Sequence, residues 1–285
     1  MLRRIFLTAV VVISLLGVSA AAQAPARAHP RPVPVAHLPG VRLVNLHRAY
    51  EARLGHARPG RISGIVYARG KAPRARPQHE AACTEPACPV LYNNGPVQVT
   101  PHIYLLLWGP NWSTDPAEES TAQYLESFYG GLGVRQPGQA KDNWSTIISQ
   151  YGDPSGAPIF SQSVLVGTSQ DISGPPTGAT QAQIAAEADA FAATEGITDL
   201  TDAQIVVATQ HGACPAGFFA PTVCGGNGTY CAWHSSSNEP YINMPYLLDA
   251  GTSCGENFVN SGPAGLDDGF SLIGGPEYAD TITNP

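Results

Sequence analysis

Runs of apolar residues separated by polar turns recur from His102 onward, and their length is typical of strands. The segment His102–Trp108 is almost continuously apolar, as expected for a strand covered on both faces. Gln204–Thr209 is a second such run and is rich in β-branched residues. Two shorter runs joined by a polar turn predict a hairpin. The predicted strands are 102–108, a region within 158–168, 204–209, 230–234 and 241–244.

Capping signals and apolar periodicity predict four helices among these strands. Asp115-Pro116 supplies an N-cap and a proline at the first helical position. Thr180 and Gln183 form a capping box, and Gly196 ends the helix that follows. The second helix is predicted from an apolar stripe made of Trp144, Ile147, Ile148 and Tyr151. The helices cover 115–130, 142–152, 180–196 and a stretch starting near 266. Their order indicates an α/β fold with a mixed sheet and packed helices.

The N-terminus has the organisation of a secretory signal peptide. Basic residues precede an apolar run that is too short to span a bilayer comfortably, and small residues end it, so we expect cleavage near residue 24. The sequence offers no other membrane span, and we expect a secreted, extracellular protein. Export makes disulfides of the six cysteines, for which 15 pairings exist. Cys83–Cys88 and Cys224–Cys231 are the short-loop options.

Charge divides the chain near residue 80. Residues 25–80 carry eleven Lys/Arg and two acids, a net charge of +9, and are rich in proline. Residues 81–285 carry two Lys/Arg and twenty acids, a net charge of −18. We expect the first segment to be a disordered basic leader, either a docked propeptide or a solvated linker. The second segment is then the acidic globular domain, whose charge repels nucleic acid.

Two motifs in the acidic domain invite a chemical interpretation. Gly251–Gly255 matches the G-x-S-x-G pattern, but the sequence predicts no helix after it and no later histidine, so we treat the match as accidental. His211 and His234 each lie beside a predicted strand. They could ligate a metal, act as acid and base, or be hydrogen-bonded structural histidines.

The C-terminal segment carries a family resemblance. Residues Leu266–Pro285 resemble secreted bacterial proteins in which a helix carries His-Glu-x-x-Glu followed by Ala/Thr-x-Thr-Asp-Pro, and which are similar to zinc peptidases of the zincin type. The chain also resembles the plant EXORDIUM (phosphate-induced protein) family over residues 90–285. The motifs shared with that family are Tyr92–Pro96, Cys231–Trp233, Asp268–Gly269 and Thr281–Pro285.

The zincin resemblance implies particular roles near the end of the chain. Residues one helical turn apart can both bind zinc, and the intervening Glu polarises the metal-bound water. On this basis Glu277 would be the general base and Asp280 a metal ligand. The position of the first ligand is occupied by Pro276, which cannot bind metal. A further ligand would lie beyond Pro285, so we expect a zinc site that is either degenerate or truncated and that binds zinc weakly.

Three functions remain open at this stage. The first is a secreted protein of metallopeptidase-like ancestry with a degenerate or incomplete zinc site. The second, implied by the EXORDIUM resemblance, is a non-enzymatic extracellular protein associated with the cell envelope. The third is a hydrolase that uses His211 or His234. The partners expected from these alternatives are a peptide or a cell-envelope component.

Overall fold

Seven strands form one mixed sheet in the order β1-β4-β3-β5-β7-β6-β2. The computed structural model describes residues 38, 40–73, 95–134 and 140–285. Strands β1, β4, β3, β5 and β7 run parallel, whereas β6 is antiparallel to both β7 and β2. The strands are β1 Arg42–Val44, β2 Ser63–Tyr67, β3 His102–Trp108, β4 Leu165–Asp171, β5 Ala203–Thr209, β6 Tyr230–Ser236 and β7 Pro240–Met244.

The described residues include five helices, which pack against the sheet or against one another. Helices α1 and α4 contact each other, while α5 contacts β6, β2 and β7 and also packs against α2 and α3. The helices are α1 His47–Arg53, α2 Pro116–Gly130, α3 Asn143–Ile148, α4 Gln181–Glu195 and α5 Asp268–Thr283. The mixed α/β sheet with packed helices is confirmed.

The capping chemistry fixes the helix ends as predicted. The Asp115 side chain accepts a hydrogen bond from the Ala117 amide, so α2 starts where the sequence places it. The Thr180–Gln183 capping box starts α4, and Gly196 ends it in the left-handed conformation with φ of 67°. Local hydrogen bonding therefore accounts for these helix boundaries.

Two apolar segments differ from the predictions. Helix α3 ends at Ile148, and Trp144, Ile147 and Tyr151 are 41%, 48% and 38% exposed instead of buried. The strand expected within 158–168 starts only at Leu165 and continues to Asp171. Its last four residues are buried although all are polar, because β4 lies between β1 and β3. Apolar periodicity could not identify such a strand.

The structure of the N-terminal segment differs from the prediction. Residues 25–80 were expected to be a disordered leader outside the domain, but strands β1 and β2 form the two edges of the sheet. Leu38, Val41 and Leu46 are each 1% exposed. Both strands are short and join the sheet through backbone pairing. Their sequences therefore lack the repeating apolar pattern from which a strand can be predicted. The domain therefore extends well upstream of residue 81.

Two disulfides stabilise the C-terminal half. Cys214 pairs with Cys224, and Cys231 pairs with Cys254, so the short-loop option Cys224–Cys231 is wrong. The signal peptide, Cys83 and Cys88 lie outside the described residues, as does most of the Tyr92–Pro96 motif. Across the part of the chain that is described, no helix is long and apolar enough to cross a membrane.

Candidate functional site

A buried imidazole–carboxyl pair joins β6 to α5. The His234 Nδ1 atom lies 3.0 Å from Glu277 Oε2, and the two side chains are 1% and 0% exposed. The His234 Nε2 atom lies 3.2 Å from the backbone carbonyl oxygen of Asn284. A carbonyl only accepts, so Nε2 carries a hydrogen and donates it. The Nδ1 atom and the Glu277 carboxyl then share one further proton at most.

The environment of Glu277 favours its protonated form. Burial raises the pKa of Glu277 to about 7, and the nearby Asp280 adds to the rise. The hydrogen bond and charge of His234 oppose it. Asp280 itself is on the exposed side of α5, and partial burial raises the pKa of its carboxyl against the opposing effect of His234. At neutral pH the pair is therefore poised to hold a proton between two buried groups.

Strand β2 covers this pair. Gly64 has a φ of +55°, and a Cβ atom built on it would lie 2.3 Å from His234 Nδ1 and 3.1 Å from Glu277 Oε2. Only glycine allows the backbone to approach the imidazole so closely. An open groove of about 660 Å³ lies over the same strand, lined by residues 61–65, Tyr67 and Asn284.

These residues do not fit a zinc centre. Both ring nitrogens of His234 already have hydrogen-bond partners, and Pro276 offers no donor atom. Catalytic zinc normally has three protein ligands. Within the described ranges no three His, Cys, Asp or Glu side chains converge as a metal site would require. Glu277 and His234 are brought together, and Asp280 follows on the same helix without completing a ligand set.

His211 lies in a different group of side chains. Its Nδ1 atom is paired with Asp249 Oδ1, and the Gly212 amide donates to Asp249 Oδ2 at 2.9 Å. The side chain of Asp249 is 3% exposed, whereas that of His211 is 53% exposed. The ring of Tyr246 packs edge-on against the imidazole, with centroids 5.8 Å apart.

Glu118 of α2 belongs to the same neighbourhood. It is 1% exposed, and neither carboxylate oxygen has a hydrogen-bond partner among the described residues. Burial raises the pKa of Glu118 to about 7; the backbone of His211 and the side chain of Asn111 lie near the carboxyl group and oppose the rise, although neither meets the geometry of a hydrogen bond. In the sequence, Glu118 is indistinguishable from an acid that complements the helix N-terminus.

Asp249 was also missed by the sequence reasoning. It lies in a short 3-10 turn, Leu247–Asp249, that follows β7 and carries no recognisable motif. Its pairing with His211 depends on the sheet order, which places the end of β5 beside the end of β7. The G-x-S-x-G match lies just beyond it in another 3-10 turn, Gly251–Cys254, with Cys254 in a disulfide.

Comparison of the chain with family models, curated proteins and solved structures gives no match. The arrangement around Glu277 and the arrangement around His211 are therefore interpreted from their own geometry.

Proposed function

We propose that this chain is a secreted protein of metallopeptidase-like, zincin-like ancestry whose zinc site is degenerate. In this proposal, α5 corresponds to the helix that carries the metal-binding motif in the proteins it resembles, and β6 and β7 correspond to the hairpin that precedes it. Export is supported by the two disulfides and by the signal-like N-terminus of the sequence.

The observation that carries the proposal is the state of Glu277. A general base must reach a water molecule near the substrate. The Glu277 side chain is instead fully buried, bonded to His234, and covered by Gly64. Together with a proline at the position where the resembling proteins have histidine, this supports a scaffold that has kept the helix and lost the catalytic arrangement.

Zinc titration of three proteins tests the proposal. Pro276→His returns an imidazole one helical turn before Asp280, whereas Pro276→Ala restores the backbone donor without adding a ligand. We expect the unmodified chain and the Ala variant to bind zinc weakly. The His variant should bind at least about tenfold more tightly, equivalent to about 1.4 kcal/mol. Isothermal titration calorimetry measures all three affinities.

Two results would contradict the degenerate site. One is tight, stoichiometric zinc binding by the unmodified chain that Glu277→Ala and Asp280→Ala leave unchanged, which would place a metal site elsewhere. The other is peptide hydrolysis by the unmodified chain that a chelator abolishes, which would make it an active metallopeptidase. If neither zinc binding nor hydrolysis is found in any variant, the non-enzymatic EXORDIUM-like alternative is favoured instead.

A further inference from the structure

The carboxyl ends of three parallel strands bring a second set of polar residues together. Strands β3, β5 and β7 are adjacent and parallel, so the segments that leave them lie along one edge of the sheet. His211 follows β5, Asp249 follows β7, and Glu118 lies on the helix after β3. Ligand sites of open α/β sheets occur at this edge.

The hydrogen bonds of the His211–Asp249 dyad determine which ring nitrogen is available. Because both carboxylate oxygens of Asp249 accept, the hydrogen of the neutral imidazole resides on Nδ1. The Nε2 atom then carries the lone pair, and it has no hydrogen-bond partner among the described residues. With about half of the side chain exposed, this nitrogen can accept a proton from a molecule in solvent.

Two disulfides hold the dyad in place. His211 lies three residues before Cys214, which is bonded to Cys224. Asp249 lies five residues before Cys254, which is bonded to Cys231 of β6. Cross-links this close to both members restrict the loops that carry them, and such restriction is what a reactive pair requires to keep its geometry.

The charges around the dyad limit the substrates it could accept. Among the described residues, Glu118 from α2, Asp249 and the ring of Tyr246 lie close to the imidazole. Asp249 and Glu118 are both acids, so a phosphate or carboxylate substrate would approach negatively charged groups at the dyad. A neutral acyl compound would not be repelled electrostatically at this site.

We propose that His211 is the general base of a hydrolytic site for neutral carboxylic esters, with Asp249 as its positioning residue. The Nε2 atom takes a proton from water while the water oxygen bonds to the ester carbonyl carbon, and the C=O π electrons move to the carbonyl oxygen. When that oxygen reforms the double bond, the C–O bond to the alcohol breaks. The imidazolium returns its proton to the leaving alkoxide. The products are a carboxylic acid and an alcohol, and water is the only co-reactant.

Hydrolysis of p-nitrophenyl acetate by the full chain tests the proposal. General-base catalysis contributes roughly 10²–10⁴-fold, so His211→Gln should lower the enzyme-dependent rate by about 100-fold or more. The matched control is His56→Gln, which removes another exposed imidazole and should leave the rate unchanged. The anionic p-nitrophenyl phosphate should not be hydrolysed.

The variant Asp249→Asn tests whether Asp249 positions the imidazole of His211. A proton held between Nδ1 and a buried carboxylate gives a downfield proton resonance, which both Asp249→Asn and His211→Gln should abolish. If a variant fails to fold, modification of the unaltered protein with diethyl pyrocarbonate replaces it. His211 should react much faster than His234, and hydrolysis should be lost in parallel.

Three results would overturn the proposal. They are a rate for the unaltered protein no greater than that of free N-acetylhistidine, equal rates for the unaltered protein and His211→Gln, and an equal loss in His56→Gln. The ester site does not depend on the zinc-site proposal. The two fail independently, because one is measured by zinc affinity and the other by a metal-free hydrolysis rate.

Discussion

Buried acids in this protein lack the cations that usually accompany them. Among the described residues, Arg42 is ion-paired with Glu195, whereas the buried carboxyl groups of Glu118, Glu187, Glu239 and Glu277 have no Lys or Arg within ion-pair distance. Burial raises the pKa of Glu118 and of Glu277 to about 7, and that of Glu187 well above its ordinary value. These groups avoid the cost of an unpaired buried charge by keeping a proton.

Glu239 provides a measurable case. It is 1% exposed, and burial together with the nearby Asp189 raises its pKa to about 8. A raised folded-state pKa contributes stability that is complete below the unfolded value, about 4.5, and is lost as the pH rises through about 8. The quantity of interest is the free energy of unfolding of Glu239→Gln minus that of the unmodified protein. This difference should be roughly 2–4 kcal/mol more favourable to the variant at pH 8.5 than at pH 4.

Urea unfolding at the two pH values measures this change. Glu51→Gln is the control, because Glu51 is exposed on α1 and its replacement should leave the pH dependence intact. The same slope of stability against pH in all three proteins would show that Glu239 is not buried as a neutral acid.

At the scale of elements, Gly64 determines how β2 meets β6 and α5. Its positive φ and its contact with His234 each exclude a side chain. Gly64→Ala should cost roughly 2–4 kcal/mol, since strain and the clash with the imidazole add together. Gly70→Ala is the matched control, because Gly70 also has a positive φ, of 76°, but has open space around it, so only the strain remains.

Thermal unfolding of the two variants distinguishes the contributions. A larger loss of stability for Gly64→Ala than for Gly70→Ala is the expected result. Equal losses would mean that β2 does not lie against the His234–Glu277 pair.

The helices and strands that could be predicted are those whose own residues carry the apolar pattern or the cap. Strands β3 and β5 are apolar throughout, and α2 and α4 have side-chain caps, so each is determined by its own residues. Strand β4 becomes buried only through its neighbours in the sheet, so its polar C-terminal half gave no signal. The apolar stripe predicted for α3 is not a buried face, because three of its four residues are 38% to 48% exposed.

At the scale of the whole molecule, the N-terminal segment completes the sheet. Removing β1 and β2 would uncover the outer backbone groups of β4 and β6 and expose the His234–Glu277 pair. We expect a chain of residues 35–285 to remain folded, whereas a chain of 74–285 should lose cooperative unfolding or aggregate. Circular dichroism melts and size-exclusion chromatography compare the two. A cooperative, monomeric 74–285 protein would restore the leader interpretation.

The candidate site was predictable only in part for the same reason. Glu277 and His234 could be identified as residues of interest, but their contact spans β6 and α5 and is not encoded in any spacing. The partners of His211 come from α2 and from the turn after β7, so sheet topology assembles them. The sequence alone does not indicate which residues the sheet topology brings together.

The sheet's edges also have a consequence for the order of folding. Arg42 pairs with Ser169, and Ser63 pairs with His234, so both edge strands are synthesised long before the strands they join. Closing such long loops is entropically costly and slow, whereas the parallel centre is built from segments closer in the chain. The centre should therefore assemble first. Until β1 and β2 pair with this centre, β4 and β6 have unpaired edges that can bind any other extended chain nearby.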